Sequence, residues 1–501
     1  MTDKILYLII LVLYLIVMVG IGAYFFKKNK SVSDYVLGGR SLNRWVAALS
    51  AQASDMSGWL LMGLPGLAFV LFGGTVEALW TAIGLAIGTY LNWLIVAKKL
   101  RNYTTKLGAI TLPDFFEKRF GDKSGIIKGI GSVFVLIFFT FYTASMFSAG
   151  AKLFDSIFDI GYGTALLIGT LIIVSYTFLG GFLAVCWTDT IQGILMFGAL
   201  IITPIFALIK VGGFEAFSDK ISAVPQEFSI LPMTDGGSLN ILLLISAIAW
   251  GLGYFGQPHI LPRFMAIKSS KDVRPARIIA MIWVIISLAM AVLVGMLGSF
   301  LYPNIADSET IFIEMVKDLF PAAITGILLT AILAAIMSTA DSQLLVSSSA
   351  VSNDLYKGIF KKNATEKSTL WVSRITVIII SIVAAILVAF PNAAEGTLIY
   401  KINESVFKLV AFAWAGFGSA FGPLVLFSLF WKRTTKQGAL FGILAGGISA
   451  FVWWILDGGI FNVYEILPGF IISSIVIVVV SLLTKPSKEI EETFELVKAM
   501  E

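Results

Sequence analysis

An all-α integral membrane fold of about thirteen transmembrane helices, with a five-plus-five inverted-repeat core and broken helices, is predicted by three observations. The 501 residues are 58% hydrophobic and only 13% charged, against about 25% charged in soluble domains. Nearly the whole chain parses into apolar stretches of roughly 20 residues, the length that crosses the hydrocarbon core. Two of those stretches, at corresponding positions in two halves, are interrupted by residues that a straight apolar helix does not carry.

The predicted spans cover residues 5–26, 45–72, 76–97, 126–153, 162–179, 182–209, 238–262, 277–302, 322–350, 370–390, 404–431, 437–457 and 466–484. The first is too long for a signal-peptide core and has no small-residue cleavage pattern after it, so it reads as a retained span. The second holds Ser54-Asp55-Met56-Ser57-Gly58, followed by Pro65 and Gly66. A charged residue at the bilayer centre costs at least ~2.5–3.5 kcal/mol, and serine and glycine are weak helix formers. The helix is therefore expected to break there, freeing carbonyl oxygens and helix ends to line a polar cavity for an ion, a small polar solute or both. The seventh span holds Trp250-Gly251-Leu252-Gly253-Tyr254-Phe255-Gly256-Gln257-Pro258-His259, which cannot sustain a straight helix either. Spans two to six and seven to eleven make the two halves. The chain then divides into 1–44, 45–210, an external loop 211–236, 237–431, and 432–501 with two further helices and a tail.

Basic residues set the orientation, because Lys and Arg accumulate in cytoplasmic loops. The first connection has Lys27, Lys28, Lys30, Arg40 and Arg44; later odd connections have Lys98, Lys99 and Arg101, then Arg263, Lys268 and Lys271, then Lys357, Lys361 and Lys362. The even connections are acidic or nearly neutral, as at Asp155, Asp159, Asp307 and Glu309. This alternation predicts an outside N-terminus and an inside C-terminus, and nucleic-acid-binding patches would not recur with such a rhythm. A single cysteine, Cys186, excludes an internal disulfide framework and a cysteine-built metal site, and a single histidine, His259, argues against zinc or haem. Cys186 reads as a small buried hydrophobe and His259 as a satisfied structural histidine. With no nucleophile–base pair and no cofactor motif, the chain is expected to be neither an enzyme nor a cofactor carrier.

The polar residues within the spans narrow the chemistry. Asp55 is either a carboxylate near a bound cation or a structural one that pairs with a basic residue or caps a broken half-helix. In span nine, Ser338, Asp341 and Ser342 stand at i, i+3 and i+4 on one helix face, with Thr339 turned toward the next. Hydroxyl and carbonyl oxygens suit hard cations, whereas an isolated Ser-Thr pair would serve as interhelical glue. Asp189 in span six is placed close to the cytoplasmic end of its helix, where solvation or capping competes with a functional role. Trp250, Tyr254, Tyr142 and Trp414 are aromatic bodies that serve as packing or as the wall of a solute site.

Several motifs carry a resemblance. Ala53-Ser54-Asp55-Met56-Ser57-Gly58-Trp59, the run Gly180-Gly181-Phe182-Leu183-Ala184-Val185-Cys186-Trp187-Thr188-Asp189 and Gly253-Tyr254-Phe255-Gly256-Gln257-Pro258-His259-Ile260 are similar to the sodium/solute symporter family. So are Met337-Ser338-Thr339 and Phe412-Ala413-Trp414-Ala415-Gly416-Phe417-Gly418. The likeness covers essentially the whole chain, and within the family it leans to the bacterial sodium/proline branch. It implies alternating access in a bacterial cytoplasmic membrane, with inward sodium flow driving uptake of L-proline. By position it implies a sodium site of the Ala53, Met56 and Ala335 carbonyls with the Ser338 and Thr339 hydroxyls. Asp55, Ser57 and Gly58 match positions important for sodium and solute binding, and Arg40 a cytoplasmic-side position linked to coupling. Trp250, Tyr254 and Pro258 match the solute-site region, with Tyr142 as companion. Asp341 departs from the family pattern of a small hydroxyl residue. It therefore either joins Asp189 and Ser342 in a second cation site or is protonated beside another buried carboxylate. A family member for another solute, or a transporter-like sensor, is the competing reading.

Overall fold

The computed structural model describes residues 3–26, 32–70, 73–177, 181–223, 230–234, 237–456 and 458–498; Lys27, Lys28, Lys30 and Gly180 lie outside them. Helix α1 (Asp3–Phe26) leads through the short α2 (Val32–Leu37) to α3 (Arg44–Asp55) and α4 (Leu64–Phe69), the halves of the first broken span. A long rod runs through α5 (Gly73–Leu91), a wide turn and α6 (Ala97–Leu107). It is followed by α7 (Leu112–Arg119), α8 (Ile126–Phe158), α9 (Tyr162–Thr177), α10 (Phe182–Val211) and α11 (Gly213–Ser222). The second broken span comprises α12 (Ile241–Ala249), a tight helical stretch Trp250–Gly256 and α13 (Leu261–Ala266). Next come α14 (Val273–Leu301), α15 (Ile311–Leu319), α16 (Ala322–Ser349, prolonged to Phe360), α17 (Glu366–Leu387) and α18 (Leu398–Asn403). The chain ends with α19 (Val406–Phe430), α20 (Lys436–Ile455), α21 (Ile466–Leu483) and α22 (Lys488–Lys498).

Among the described residues, 10 helices are long and apolar enough to cross a membrane. The other predicted spans are the two broken ones and the short α9. The long helices are not equivalent. Within its 18-residue apolar stretch, α19 is 89% buried and α16 with its extension 78%, against 28% for α1 and for α21. A helix with small or apolar residues on every side belongs in the middle of a bundle, and α16 packs there against α3, α8 and α10.

The first break is narrower than the interrupted stretch. Ser54 stays helical and donates its hydroxyl to the Ala51 carbonyl at 3.2 Å. The chain leaves the helix at Met56, with φ −80° and ψ 75°. Ser57 Oγ then accepts the Trp59 amide at 3.3 Å and Trp59 Nε1 donates to the Asp55 carbonyl at 3.1 Å. Side chains thus replace the missing ladder, as irregular backbone at membrane depth requires.

At the second break the donors come from neighbouring helices and from the break itself. Trp414 Nε1 donates to the Trp250 carbonyl at 2.8 Å and Asn92 Nδ2 to the Tyr254 carbonyl at 2.9 Å. Gln257 Nε2 donates to the carbonyls of Gly253 at 3.1 Å and Trp414 at 3.2 Å. The glycines permit these approaches: a Cβ on Gly251 would fall 2.3 Å from the Gly84 carbonyl oxygen, and one on Gly253 1.9 Å from Trp414 Nε1. Gly253→Ala is accordingly expected to cost at least ~1–3 kcal/mol by overpacking. A lowered melting temperature of the solubilised protein reports this, with Gly163→Ala, which meets nothing within 4 Å, as the neutral control.

Candidate functional site

In an unbroken helix the Ala53 carbonyl would accept the amide of Ser57, four residues on. That amide turns instead to the Asp55 carbonyl at 2.9 Å, and the Ala53 oxygen is released toward α16. There it accepts the Ser338 hydroxyl at 2.7 Å and the Thr339 hydroxyl at 3.4 Å. Ser338 also reaches the Ala335 carbonyl at 3.1 Å. Ala53, Ala335, Ser338 and Thr339 therefore meet in one buried oxygen cluster between α3 and α16. Met56 follows at the break itself, its carbonyl turned out of the helical ladder by ψ 75°.

Asp55 belongs to a neighbouring arrangement. Its Oδ2 accepts the Tyr254 hydroxyl at 2.6 Å, and its main-chain carbonyl accepts the Tyr142 hydroxyl at 3.4 Å. The carboxylate thus ties the first break to the second, and its buried Oδ1 has no hydrogen-bond partner among the described residues. Gly58 is where α8 and α16 close in, since a Cβ there would lie 3.1 Å from both Ala149 and Ile336. Around these groups stands an aromatic wall. The Trp250 ring lies 6.2 Å from Trp59 and 5.0 Å from both Phe407 and Tyr464, and Tyr254 lies 4.9 Å edge-on to Trp414. Pro258 faces a narrow cavity with Phe182, Pro262 and Leu345. Of the wall residues, Trp59, Trp250, Tyr254 and Trp414 are buried, Trp250 being 4% exposed, while Phe407 and Tyr464 are half-buried.

The residues proposed for a second cation site are arranged differently from expectation. Asp189 is fully buried rather than solvated at a helix end. Its Oδ2 accepts Ser50 Oγ at 2.7 Å and Arg263 NH2 at 3.1 Å. Arg263 also donates to Ser342 Oγ at 2.6 Å, Ser50 Oγ at 3.1 Å and the His259 carbonyl at 2.5 Å. A guanidinium therefore stands between Asp189 and Ser342. Asp341 pairs elsewhere, accepting the Thr177 hydroxyl. Arg263 had looked like one more positive charge in a cytoplasmic loop; the clue to its burial was its place five residues after Pro258, still inside the second broken span. His259 differs too: it packs on Phe139 and Tyr142, and neither ring nitrogen has a partner among the described residues.

Two clasps close the bundle on either side. Arg40, at φ 56°, donates to the carbonyls of Met265 at 2.6 Å, Ala109 at 2.7 Å and Thr104 at 2.9 Å, joining the ends of α6 and α13. Burial, with Arg101 beside it, brings this guanidinium down to about 10, so it stays charged. At the other end Glu309 accepts the amides of Val406 at 3.1 Å and Phe407 at 3.0 Å at the start of α19, and Lys152 from α8 at 2.6 Å.

Two half-helices that meet a buried oxygen cluster and an aromatic wall define a membrane transporter of the broken-helix class. The sequence model of the Sodium:solute symporter family matches residues 35–446, and the chain belongs to that family. It is 48% identical over 495 residues to a "Sodium/proline symporter" of Haemophilus influenzae, covering 95% of this chain and 94% of that one. It is 46% identical over 482 residues to the "High-affinity proline transporter PutP" of Bacillus subtilis, covering 95% and 98%. Among solved structures, a Na+-coupled sialic acid symporter in a substrate-bound outward-open state shares the fold, with TM-score 0.77 at 22% identity over 96% of this chain and 98% of that one.

Arg263→Gln would leave Asp189 charged and unpaired in the interior, and is expected to destabilise by ~3–5 kcal/mol. Arg263→Gln with Asp189→Asn should recover part of that loss. Melting curves of the four proteins in the cycle measure the coupling.

Proposed function

We propose that this chain is a sodium-coupled symporter that imports L-proline across a bacterial cytoplasmic membrane by alternating access, its N-terminus outside and its C-terminus inside. Residues 45–210 and 237–431 act as the two inverted halves. The observation that carries the reading is the Ala53 carbonyl, released by the first break and held by the Ser338 and Thr339 hydroxyls. Hydroxyls that donate to a carbonyl can rotate to present lone pairs, so the cluster exchanges two hydrogen bonds for a hard cation. The carbonyls of Ala53, Met56 and Ala335 and the hydroxyls of Ser338 and Thr339 would hold the sodium ion. Asp55 contributes through its field and through Tyr254 rather than as a ligand.

The proline assignment rests on relatives named for proline that match along 94% and 98% of their own lengths. Its chemistry suits the second break. An amino-acid carboxylate is favoured at the positive end of a half-helix, its ammonium by carbonyls freed from the ladder, and its ring by the aromatic wall of Trp250, Tyr254 and Tyr142 beside Pro258. Sodium joining α3 to α16 stabilises the arrangement that binds solute, and linkage makes the effect reciprocal. The membrane potential adds about 2.3 kcal/mol per charge per 100 mV. With the Arg263 guanidinium already between Asp189 and Ser342, the reading assigns one sodium ion to the cycle. Arg40 transmits closure by tying the ends of α6 and α13.

Reconstituted proteoliposomes should accumulate labelled proline when a sodium gradient is imposed and not when it is collapsed; accumulation that ignores the gradient would end this reading. Ser338→Ala and Thr339→Ala are each expected to raise the sodium concentration for half-maximal uptake about tenfold or more, the scale of one hydrogen bond to a charge. Tyr254→Ala should mainly raise the half-saturating proline concentration, and unaltered proline kinetics would remove Tyr254 from the solute site.

A further inference from the structure

The narrow cavity that begins at Pro258 has a second end. It runs between α13 on one side and α8 and α16 on the other, past Pro262, Val135 and Val346, and reaches Ser349 and Asp354. The connection that follows carries Lys357, Lys361 and Lys362, so this is the end of the bundle where the reading above places the cytoplasm. Asp354 is fully buried. Its Oδ1 accepts the Thr111 hydroxyl at 3.0 Å and Asn353 Nδ2 at 2.9 Å. Its Oδ2, buried as well, has no hydrogen-bond partner among the described residues.

The backbone brings a second oxygen close. From Ala350 to Phe360 the helix widens to i→i+5 hydrogen bonding, a form that is rare overall and concentrated where helices carry function. Residues five apart then share a face, and Ser349 stands one turn above Asp354. The Ser349 hydroxyl donates to the Leu345 carbonyl at 2.8 Å and keeps its lone pairs.

The charges point to a cation. Lys128 is bonded to Asp114 at 3.2 Å and to Glu117, and Lys118 to Asp114 at 2.8 Å. Two ammoniums thus serve two carboxylates, and Asp354 adds a third. Lys128 and Asp114 act on Asp354 through their fields, with opposite sign. A water would answer the bare oxygen but not its charge. The cavity, about 20 Å³, admits one guest the size of a water or a sodium ion and excludes an amino acid. One free carboxylate oxygen and one hydroxyl fall short of the ~6–8 oxygens that calcium takes. Asp354 also lies on the same helical rod as Ser338 and Thr339, on the order of 20 Å nearer its basic end.

We infer that Asp354, with Ser349, is a cation station on the inner release path, receiving the sodium ion that leaves the cluster of Ala53, Ser338 and Thr339, a role that rests on the sodium-coupled cycle proposed above. A carboxylate on the way out lowers the cost of carrying a charge through a dry passage. With its other oxygen already engaged twice, Asp354 offers one oxygen and holds the ion weakly enough to let it go.

The full chain is tested in right-side-out and inside-out vesicles, where the sodium concentration for half-maximal proline transport is read from each face separately. Asp354→Asn, which keeps an acceptor for Thr111, should raise that concentration about tenfold or more at the cytoplasmic face and leave it unchanged at the outer one. Ser349→Ala should shift the same face by less, and Asp354→Glu should recover part of the loss. Should Asp354→Asn fail to fold, Ser349→Ala carries the same test. Equal shifts at both faces, no shift in either variant, or a shift that follows internal pH instead of sodium would overturn the assignment. In detergent, the Ser338→Ala/Thr339→Ala protein should still bind radioactive sodium, and adding Asp354→Asn should abolish that binding. Binding absent from the double variant, or kept in the triple one, would overturn it too. Wild-type transport that ignores sodium would end the symporter reading instead, and the binding measurement then decides on Asp354 by itself.

Discussion

A carbonyl that leaves its helix inside a membrane must find another donor, and the centre of this bundle is organised by where those donors come from. At the first break they are Ser338 and Thr339 from α16, which take over the Ala53 oxygen that Ser57 abandons. At the second they are Trp414 from α19, Asn92 from the α5–α6 rod, and Gln257 from the break itself. One set consists of rotatable hydroxyls and the other of fixed N–H groups. The two sets differ in chemistry: a hydroxyl can rotate to present lone pairs, whereas indole and amide N–H groups can only donate.

The two breaks are also held to each other. Asp55 lies at the end of α3, accepts Tyr254 from the opposite break, and has its main-chain oxygen within reach of Tyr142 and Trp59. A change in the oxygen cluster one turn away therefore acts on a carboxylate that grips the aromatic wall. Coupling between an ion and a neighbouring solute needs a shared element of this kind, whose arrangement both ligands bias.

Beneath the oxygen cluster, Ser50 stands three residues before Ala53 and Ser342 four after Ser338, so a helical turn brings both helices to Arg263. The guanidinium holds Ser50, Asp189 and Ser342 together. A built-in cation thus occupies a setting that residue types alone suggested for a second mobile one. Removing two charges from water is costly unless geometry and hydrogen bonds are good, and here every partner is supplied by a different helix.

Much of this protein was legible in its sequence because the bilayer imposes one-dimensional rules. Span length, the cost of Asp55, Ser57 and Gly58 at membrane depth and the glycines and proline between Trp250 and His259 are properties of short segments, and they located the helices and both breaks. The hydroxyls of Ser338 and Thr339 stood out for the same reason. Three-dimensional packing decided the rest. Whether Arg263 was a loop charge or an interior one depended on α13 folding back against α3, α10 and α16, and whether His259 found partners depended on Phe139 and Tyr142. Which oxygen Asp341 met rested on α9, a helix far away in the chain. Sequence alone determined where polar groups must be hidden; only the tertiary structure decided with whom, because a buried charge or carbonyl is satisfied by whichever neighbour the fold brings within about 3 Å.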